Sequence, residues 1–299
     1  MLTCYGGINA MVESNSISPL SVLVIGTGYL GSSLAEKLTS EGTSCVTADL
    51  LQGKATYAVD VTQMSSVEQL AHQIQKDGIL LDCIVYAVST SGGDEERYQH
   101  VYHDGIRHVI TSFPGIRIIL CSSSALYGIT DGGWATETHT CHPLKKVGDI
   151  LLRAETLVLR AGGTSARLSA IYGPHRCVLV ERFLRDGTSL HGSAERWINY
   201  IHRDDATSAL DLLIRSHDIA GKCFNVTNPS PMKMIDIYHF LATTLERPFP
   251  LIQSIETNGR RGGTNQRISC SRLLTLGWTP LYPSFVDGIY NVLEAIDEQ

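Results

Sequence analysis

The chain has 299 residues, of which 43% are hydrophobic and 18% charged, and a formal net charge of -6. That length suffices for one large α/β unit or for a core with a smaller lobe. The acidic balance argues against nucleic acid as a partner, and the absence of an apolar run near the roughly 20 residues of a membrane helix argues against a membrane.

Residues 1–20 have neither a basic start nor a continuous apolar block, so they read as a flexible leader, with Met11 as an alternative start. The eight cysteines are scattered, with no CxxC pair and no His/Cys cluster at metal-ligand spacing. This pattern predicts no metal site and describes the reduced thiols of a cytoplasmic protein.

The first structured segment is SVLVIGTGYLGSSLAEKLTSEG, in which an apolar strand over 22–25 runs straight into Gly26, Gly28 and Gly31. Leu30, Leu34 and Leu38 then recur at helical spacing, and Gly42 ends the helix. Gly26 permits a tight turn, Gly28 lets backbone approach a pyrophosphate, and Gly31 lets the helix pack on the strand, its N-terminal N–H groups facing the phosphates. A second strand, SCVTAD, ends at Asp49, 23 residues beyond Gly26, where a carboxylate accepts hydrogen bonds from ribose hydroxyls. With Leu50 and Leu51 after it rather than a cation, NAD is expected over NADP.

The alternation continues with YAVDV, a helix SSVEQLAHQIQKDG, a strand LLDCIVYAV, a helix YQHVYHDGIRHVITSF and a strand RIILCSSS. Strands alternating with helices predict a doubly wound parallel sheet of the Rossmann type, with its ligand crevice at the strand C-terminal ends. Asp60, Val61, Ala87 and the serines 122–124 would line that edge, Ser122 on the cofactor side.

Taken together, GTGYLG (26–31), DVT (60–62), SSSALYG (122–128), RLSAIYGPHR (167–176), NYIHRDDAT (199–207), FNVTN (224–228) and LGW (276–278) resemble the short-chain dehydrogenase/reductase superfamily. The resemblance is to its extended and atypical branch of NAD-dependent epimerase/dehydratase-like proteins. It implies an α/β core over 21–168 and a smaller substrate lobe over 169–299, with segments near 200–216 returning to the core. It also implies that Tyr29 and Leu30 share the glycine cradle, that DVT lies beside the adenine, and that a small-molecule substrate is converted. The single residue between the first two glycines, Thr27, matches the atypical relatives.

The family's chemistry uses a Ser or Thr to orient a substrate oxygen, a Tyr as acid/base, and a Lys four residues on that lowers the phenol pKa. Ser123 stands four residues before Tyr127 and takes the orienting place. Counting back from Glu155, the tyrosine slot falls on Val147 and the lysine slot on Leu151, and neither carries a proton. Tyr127, His142, Lys146, Tyr172 and His202 are the available substitutes, histidine being the easiest chemically. Alternatively, the substrate's own acidity or a water held by Ser123 handles the proton, or the chain binds NAD without turnover, as a sensor or scaffold.

Tyr172-Gly173-Pro174 marks a turn into the substrate lobe, where Ser124, Tyr172, His202 and Arg261 are the candidates for the substrate side. Arg260, Arg261 and Arg267 gather in GRRGGTNQR, either a clamp for a carboxylate or phosphate or a surface loop, so a small anionic metabolite is the expected substrate class. The stripe Ile150, Leu151, Ala154 and Leu157 suits a homodimer contact or packing inside the chain equally.

Overall fold

A computed structural model of the chain describes residues 20–51, 53–90, 92–186, 189–191, 193–253 and 263–297. Almost all of the leader and Arg260 and Arg261 lie outside the described residues. The elements in chain order are β1 (Ser21–Ile25), α1 (Tyr29–Ser40), β2 (Ser44–Asp49), β3 (Tyr57–Ala58), α2 (Met64–Lys76), β4 (Cys83–Tyr86) and α3 (Glu95–Tyr98). A π-helical stretch, Gln99–Asp104, leads into α4 (Gly105–Ser112), and β5 (Arg117–Ser123) runs into a 3-10 turn, Ser124–Tyr127. Then come β6 (Trp134–Ala135), α5 (Lys146–Arg160), β7 (Thr164–Leu168), β8 (Ala170–Tyr172), α6 (Val178–Asp186), β9 (Ser189–His191), β10 (Trp197–Ile198), β11 (Tyr200–His202) and α7 (Arg203–Arg215). The chain closes with β12 (Cys223–Val226), β13 (Met232–Lys233), α8 (Met234–Thr244), β14 (Leu251–Gln253), β15 (Arg267–Ile268), α9 (Ser271–Thr275) and α10 (Phe285–Asp297).

Seven parallel strands form the main sheet in the order β12-β7-β5-β4-β1-β2-β3. Every residue of β1 is buried, because helices cover both faces and leave no side for water. On one face Leu34, Leu38 and Val24 share a cluster with Ala206, Ala209, Leu210 and Leu213 of α7; each such leucine contributes about 2 kcal/mol by burial. On the other face Val67, Leu70, Ile106, Val109, Ala154 and Val158 cover Ile84, Tyr86 and Leu120. Of the stripe on α5, Ala154 belongs to this cluster, Leu157 packs against it, and Ile150 and Leu151 are buried within the same chain. A separate cluster, built from Tyr172, Phe183, Ile237, Leu241, Phe285 and Ile289, is the core of the C-terminal lobe.

The helix expected over 98–113 is interrupted by the π stretch. The Tyr86 hydroxyl donates to the Val101 carbonyl at 2.5 Å, which draws that carbonyl out of the regular ladder. Here the helix presses on the sheet, since a Cβ at Gly105 would meet Val61 at 3.3 Å. The strand expected over YAVDV shortens to two residues, because Asp60 instead accepts from the N–H and hydroxyl of Thr62 at 3.0 and 2.7 Å and turns the chain.

Candidate active site

The glycine turn after β1 is wedged against the end of β4. Gly26 has φ +97, and a Cβ on it would lie 2.8 Å from the Ala87 carbonyl carbon. Its N–H donates to the Ala48 carbonyl at 2.8 Å, so three strand ends converge at Gly26. Gly28 precedes α1 with no side-chain cap, and nothing lies within 4 Å of where its Cβ would be. The uncapped N–H groups of a 12-residue helix therefore start beside open space, an arrangement that suits a phosphate. This is the fit expected of a dinucleotide cradle.

The side chains of Tyr29 and Leu30 are turned elsewhere. Leu30 joins the core, and the Tyr29 hydroxyl donates to the Pro174 carbonyl at 2.9 Å, with the Arg176 and Arg203 guanidiniums 5.1 and 5.4 Å from its ring centre. What these two residues offer the groove is backbone. Asp49 stands at the end of β2, its Oδ2 accepting from the Thr27 N–H at 2.6 Å and Oγ1 at 2.9 Å, its Oδ1 from the Leu51 N–H at 3.2 Å. Partial burial would raise its pKa, but these donors overcome that and hold the carboxyl below the usual range. Asp49 therefore fixes the glycine loop as well as presenting charge, a duty the spacing alone did not reveal. Asp60 and Val61 follow β3, with the Val61 carbonyl bonded to His108 Nδ1 at 2.9 Å.

Ser122, Ser123 and Ser124 end β5 on the same edge. Ser122 is buried, and its Oγ has no hydrogen-bond partner among the described residues. Ser123 is half-buried and its Oγ caps the 3-10 turn, accepting from the Ala125 N–H at 3.2 Å. Ser124 Oγ lies 3.3 Å from Ser169 Oγ, both buried. Its carbonyl accepts from Gln266 Nε2 at 2.9 Å, so the C-terminal lobe is tied directly to the serine edge.

Four of the predicted reactive groups can be located in the structure as follows. Tyr127 is 1% exposed, and its hydroxyl donates to Asn225 Oδ1 at 2.7 Å; burial pushes the phenol up to about 12. Tyr172, also 1% exposed, lies edge-on to Tyr200 and His202 in the lobe core, with its hydroxyl directed at the Ser284 carbonyl at 3.3 Å. His202 is fully buried: Nδ1 accepts from the Asp204 N–H at 3.2 Å, which leaves Nε2–H to donate to Asn291 Oδ1 at 3.1 Å. Each of the three contributes an aromatic body to a core and its polar tip to a hydrogen bond. His142 is exposed before α5, with its carbonyl packed against Gly128. Arg261 falls outside the described residues.

Val147 is in the first turn of α5, half-buried, and Leu151 is buried one turn later, so the positions read as the tyrosine and lysine slots lie on one helix. Further along that helix Glu155 makes a buried ion pair with Arg167, Oε2 to Nη2 at 2.7 Å. Burial pushes the Cys121 thiol up to about 12 and raises Cys141 as well, which disfavours the thiolate at both. Among the described residues no group of three or more His, Cys, Asp or Glu side chains could hold a metal.

The neutral form of His202 gives a pH test. Burial, opposed by the Asp204 charge, lowers its folded pKa below the unfolded value near 6.5. The contribution is thus present above about pH 6.5 and lost as pH falls through the folded pKa. The thermal midpoint, followed by circular dichroism from about pH 7.5 down to about 5.5, is expected to fall further in the wild type than in His202→Gln. Equal falls would place the acid sensitivity elsewhere.

A seven-stranded parallel sheet with an open glycine turn at its C-terminal edge defines a Rossmann-type nucleotide-binding protein. A family model described as the NAD dependent epimerase/dehydratase family matches residues 22–227, and the chain belongs to that family, whose cofactor is NAD. Among solved structures, a provisionally named NAD-dependent epimerase/dehydratase from Methylobacillus flagellatus is 26% identical, with TM-score 0.77 over 94% of this chain and 100% of that one. The UDP-glucose 4-epimerase of Thermus thermophilus, solved with NAD, is 19% identical, with TM-score 0.78 over 93% and 99%. A provisionally named epimerase from Burkholderia cenocepacia is 18% identical, with TM-score 0.79 over 94% and 99%. The last two share the fold. No curated protein matches the chain. No helix of the described residues is long and apolar enough to cross a membrane.

Proposed function

We propose that the chain binds NAD along the C-terminal edge of the sheet and converts a small anionic metabolite by hydride chemistry of the oxidoreductase or epimerase/dehydratase type. The observation that carries this reading is the open face at Gly28 between the α1 N-terminus and the Asp49 carboxylate. Gly26, Gly28, Gly31 and the backbone of Tyr29 and Leu30 would hold the pyrophosphate. Asp49 would take the ribose, Asp60, Val61 and Ala87 the adenine side, and Ser122 the inner end. When bound, NAD supplies the site for accepting or returning a hydride.

Ser123, the most accessible of the three serine hydroxyls, orients the substrate oxygen, and Ser124 lines the substrate side. Residues 169–299 form the substrate lobe, with α7 in the core, a division supported by the separate lobe cluster and by the packing of α7 under α1. The anionic class is supported by Arg176 and Arg203, which converge on Tyr29 where the lobe meets the glycine turn. A cytoplasmic setting is supported by the described cysteines, all of them free thiols. A homodimer would use the polar faces of α3 and α5, since the apolar stripe of α5 is spent inside the chain. The filled slots at Val147 and Leu151 favour one second reading, NAD binding without turnover.

Calorimetry tests the cofactor reading. NAD+ is expected to bind at least about tenfold tighter than NADP+, because a 2'-phosphate would meet a carboxylate, and Asp49→Asn is expected to narrow that ratio. Binding of NADP+ alone, or of neither, would overturn it.

A further inference from the structure

An arginine drawn out of solvent is ordinarily matched by a carboxylate or by carbonyl oxygens. In this chain Arg167 faces Glu155, Arg203 faces Asp204, and Arg117 caps α7 through the carbonyls of Ile214 and Ser216. Arg196, half-buried at the entry to β10, is not matched in this way. Its Nε is buried with no hydrogen-bond partner, and no carboxylate among the described residues pairs with its guanidinium. The neighbouring acid, Glu195, is paired with Lys233 at 2.7 Å, and Asp236 in the first turn of α8 is exposed.

The backbone fixes this residue on both sides. The Arg196 N–H donates to the Ser193 carbonyl at 3.2 Å, and its carbonyl accepts from the N–H of Met234, the first residue of α8, at 2.9 Å. Side chains alternate along an extended segment, so Arg196 shares a face with Ile198 and Tyr200, which pack on the lobe cluster. Asn199 turns the other way, donating to the Gln266 carbonyl at 2.8 Å. Met234 and Ile237, from the first turn of α8, belong to the cluster that covers the Arg196 face.

Arg196 therefore stands beside the N-terminal end of an 11-residue helix that has another cation, Lys233, at its cap position and no side-chain cap bond. A helix N-terminus carries partial positive charge and disfavours a neighbouring cation. Burial disfavours it as well, and holds the Arg196 pKa below the usual arginine range. Two separate features thus work against this charge, and an oxyanion on the guanidinium would offset both, because its N–H groups fork onto a phosphate or a carboxylate. We infer that Arg196 binds an oxyanion, phosphate or carboxylate, in the C-terminal lobe. Its use for the charged end of the converted metabolite rests on the reading above; the site itself is tested without turnover.

The test is the thermal midpoint of the whole chain in inorganic phosphate and in succinate, each against sodium chloride of equal ionic strength. At least one of the two, at about 20 mM, is expected to raise the wild-type midpoint saturably by about 2 °C or more, and the larger effect tells phosphate from carboxylate. Because phosphate would also reach the glycine turn, the deciding comparison is with Arg196→Gln, in which the rise is expected to shrink at least about threefold, while Arg196→Lys keeps part of it. In chloride alone Arg196→Met is expected to melt no lower than wild type, since it removes an unmatched cation. An equal rise in wild type and Arg196→Gln, no rise with either anion, or a fall of more than about 3 °C in Arg196→Met would overturn the inference. Calorimetry with NAD+ keeps the two readings apart: Arg196→Gln is expected to bind it within about twofold of wild type. A wild type that binds no NAD+ overturns the cofactor reading and leaves the Arg196 site standing.

Discussion

Gly31→Ala is expected to cost about 3 kcal/mol or more of stability and to weaken NAD+ binding at least tenfold. A Cβ at this position would overlap the Gly26 carbonyl oxygen and lie 3.0 Å from its carbonyl carbon. Both atoms are backbone, so no rotamer change relieves the overlap, and α1 has to back away from β1. That movement separates the α1 N-terminus from the turn and strips leucines 34 and 38 from their cluster with α7. Gly28→Ala is the informative partner, because its Cβ would meet nothing within 4 Å and its φ of -74 suits any residue. Stability should stay within about 1 kcal/mol while NAD+ affinity falls, since the methyl would occupy the open face. Denaturant unfolding and calorimetry on the two variants separate the duties. Equal stability of Gly31→Ala and wild type would mean that helix and strand are not in fact locked there.

Glu155→Ala is expected to cost about 3–5 kcal/mol, because it leaves the Arg167 guanidinium buried and unpaired. The pair is 6% and 1% exposed at its two side chains, and Ser165 Oγ donates to the same carboxylate at 2.8 Å. Burial by itself would lower the Arg167 pKa, but Glu155 overcomes it and raises that pKa; without its partner the guanidinium still stays charged at neutral pH, because its intrinsic pKa is so high. The Arg167 guanidinium also lies 5.0 Å from the Tyr127 ring centre, and Tyr127 is bonded to Asn225 on β12. The ion pair thus anchors α5 to β7 and, through Tyr127, to the edge of the sheet. Thermal unfolding should show a fall of roughly 10 °C for Glu155→Ala. The double change Glu155→Met with Arg167→Met should recover most of it, since replacing both charges by apolar groups removes the desolvation cost. A single change within about 1 kcal/mol of wild type would show that the pair is not a structural anchor.

Much of the nucleotide half was legible because its signals are local. Strand, glycine turn and helix follow one another within SVLVIGTGYLGSSLAEKL, and the steric need for glycine at 26 and 31 is the same in the sequence as in space. Val147 and Leu151 could be read as unable to carry a proton before any fold was known. The lobe side was less legible. Tyr127, Tyr172 and His202 have the right chemistry for a site, and only burial distinguishes a core phenol or imidazole from a reactive one. The π turn was not legible either, since no periodicity announces that Tyr86, on another element, bonds to the Val101 carbonyl.

By itself the sequence determined the class of fold and the glycine turn with Asp49 after it, because each depends on residues a few positions apart. The tertiary structure alone decided which polar side chains are spent in the core and that the apolar stripe of α5 packs within its own chain. Those outcomes depend on contacts between residues distant in the chain, whose burial and pairing no local pattern encodes.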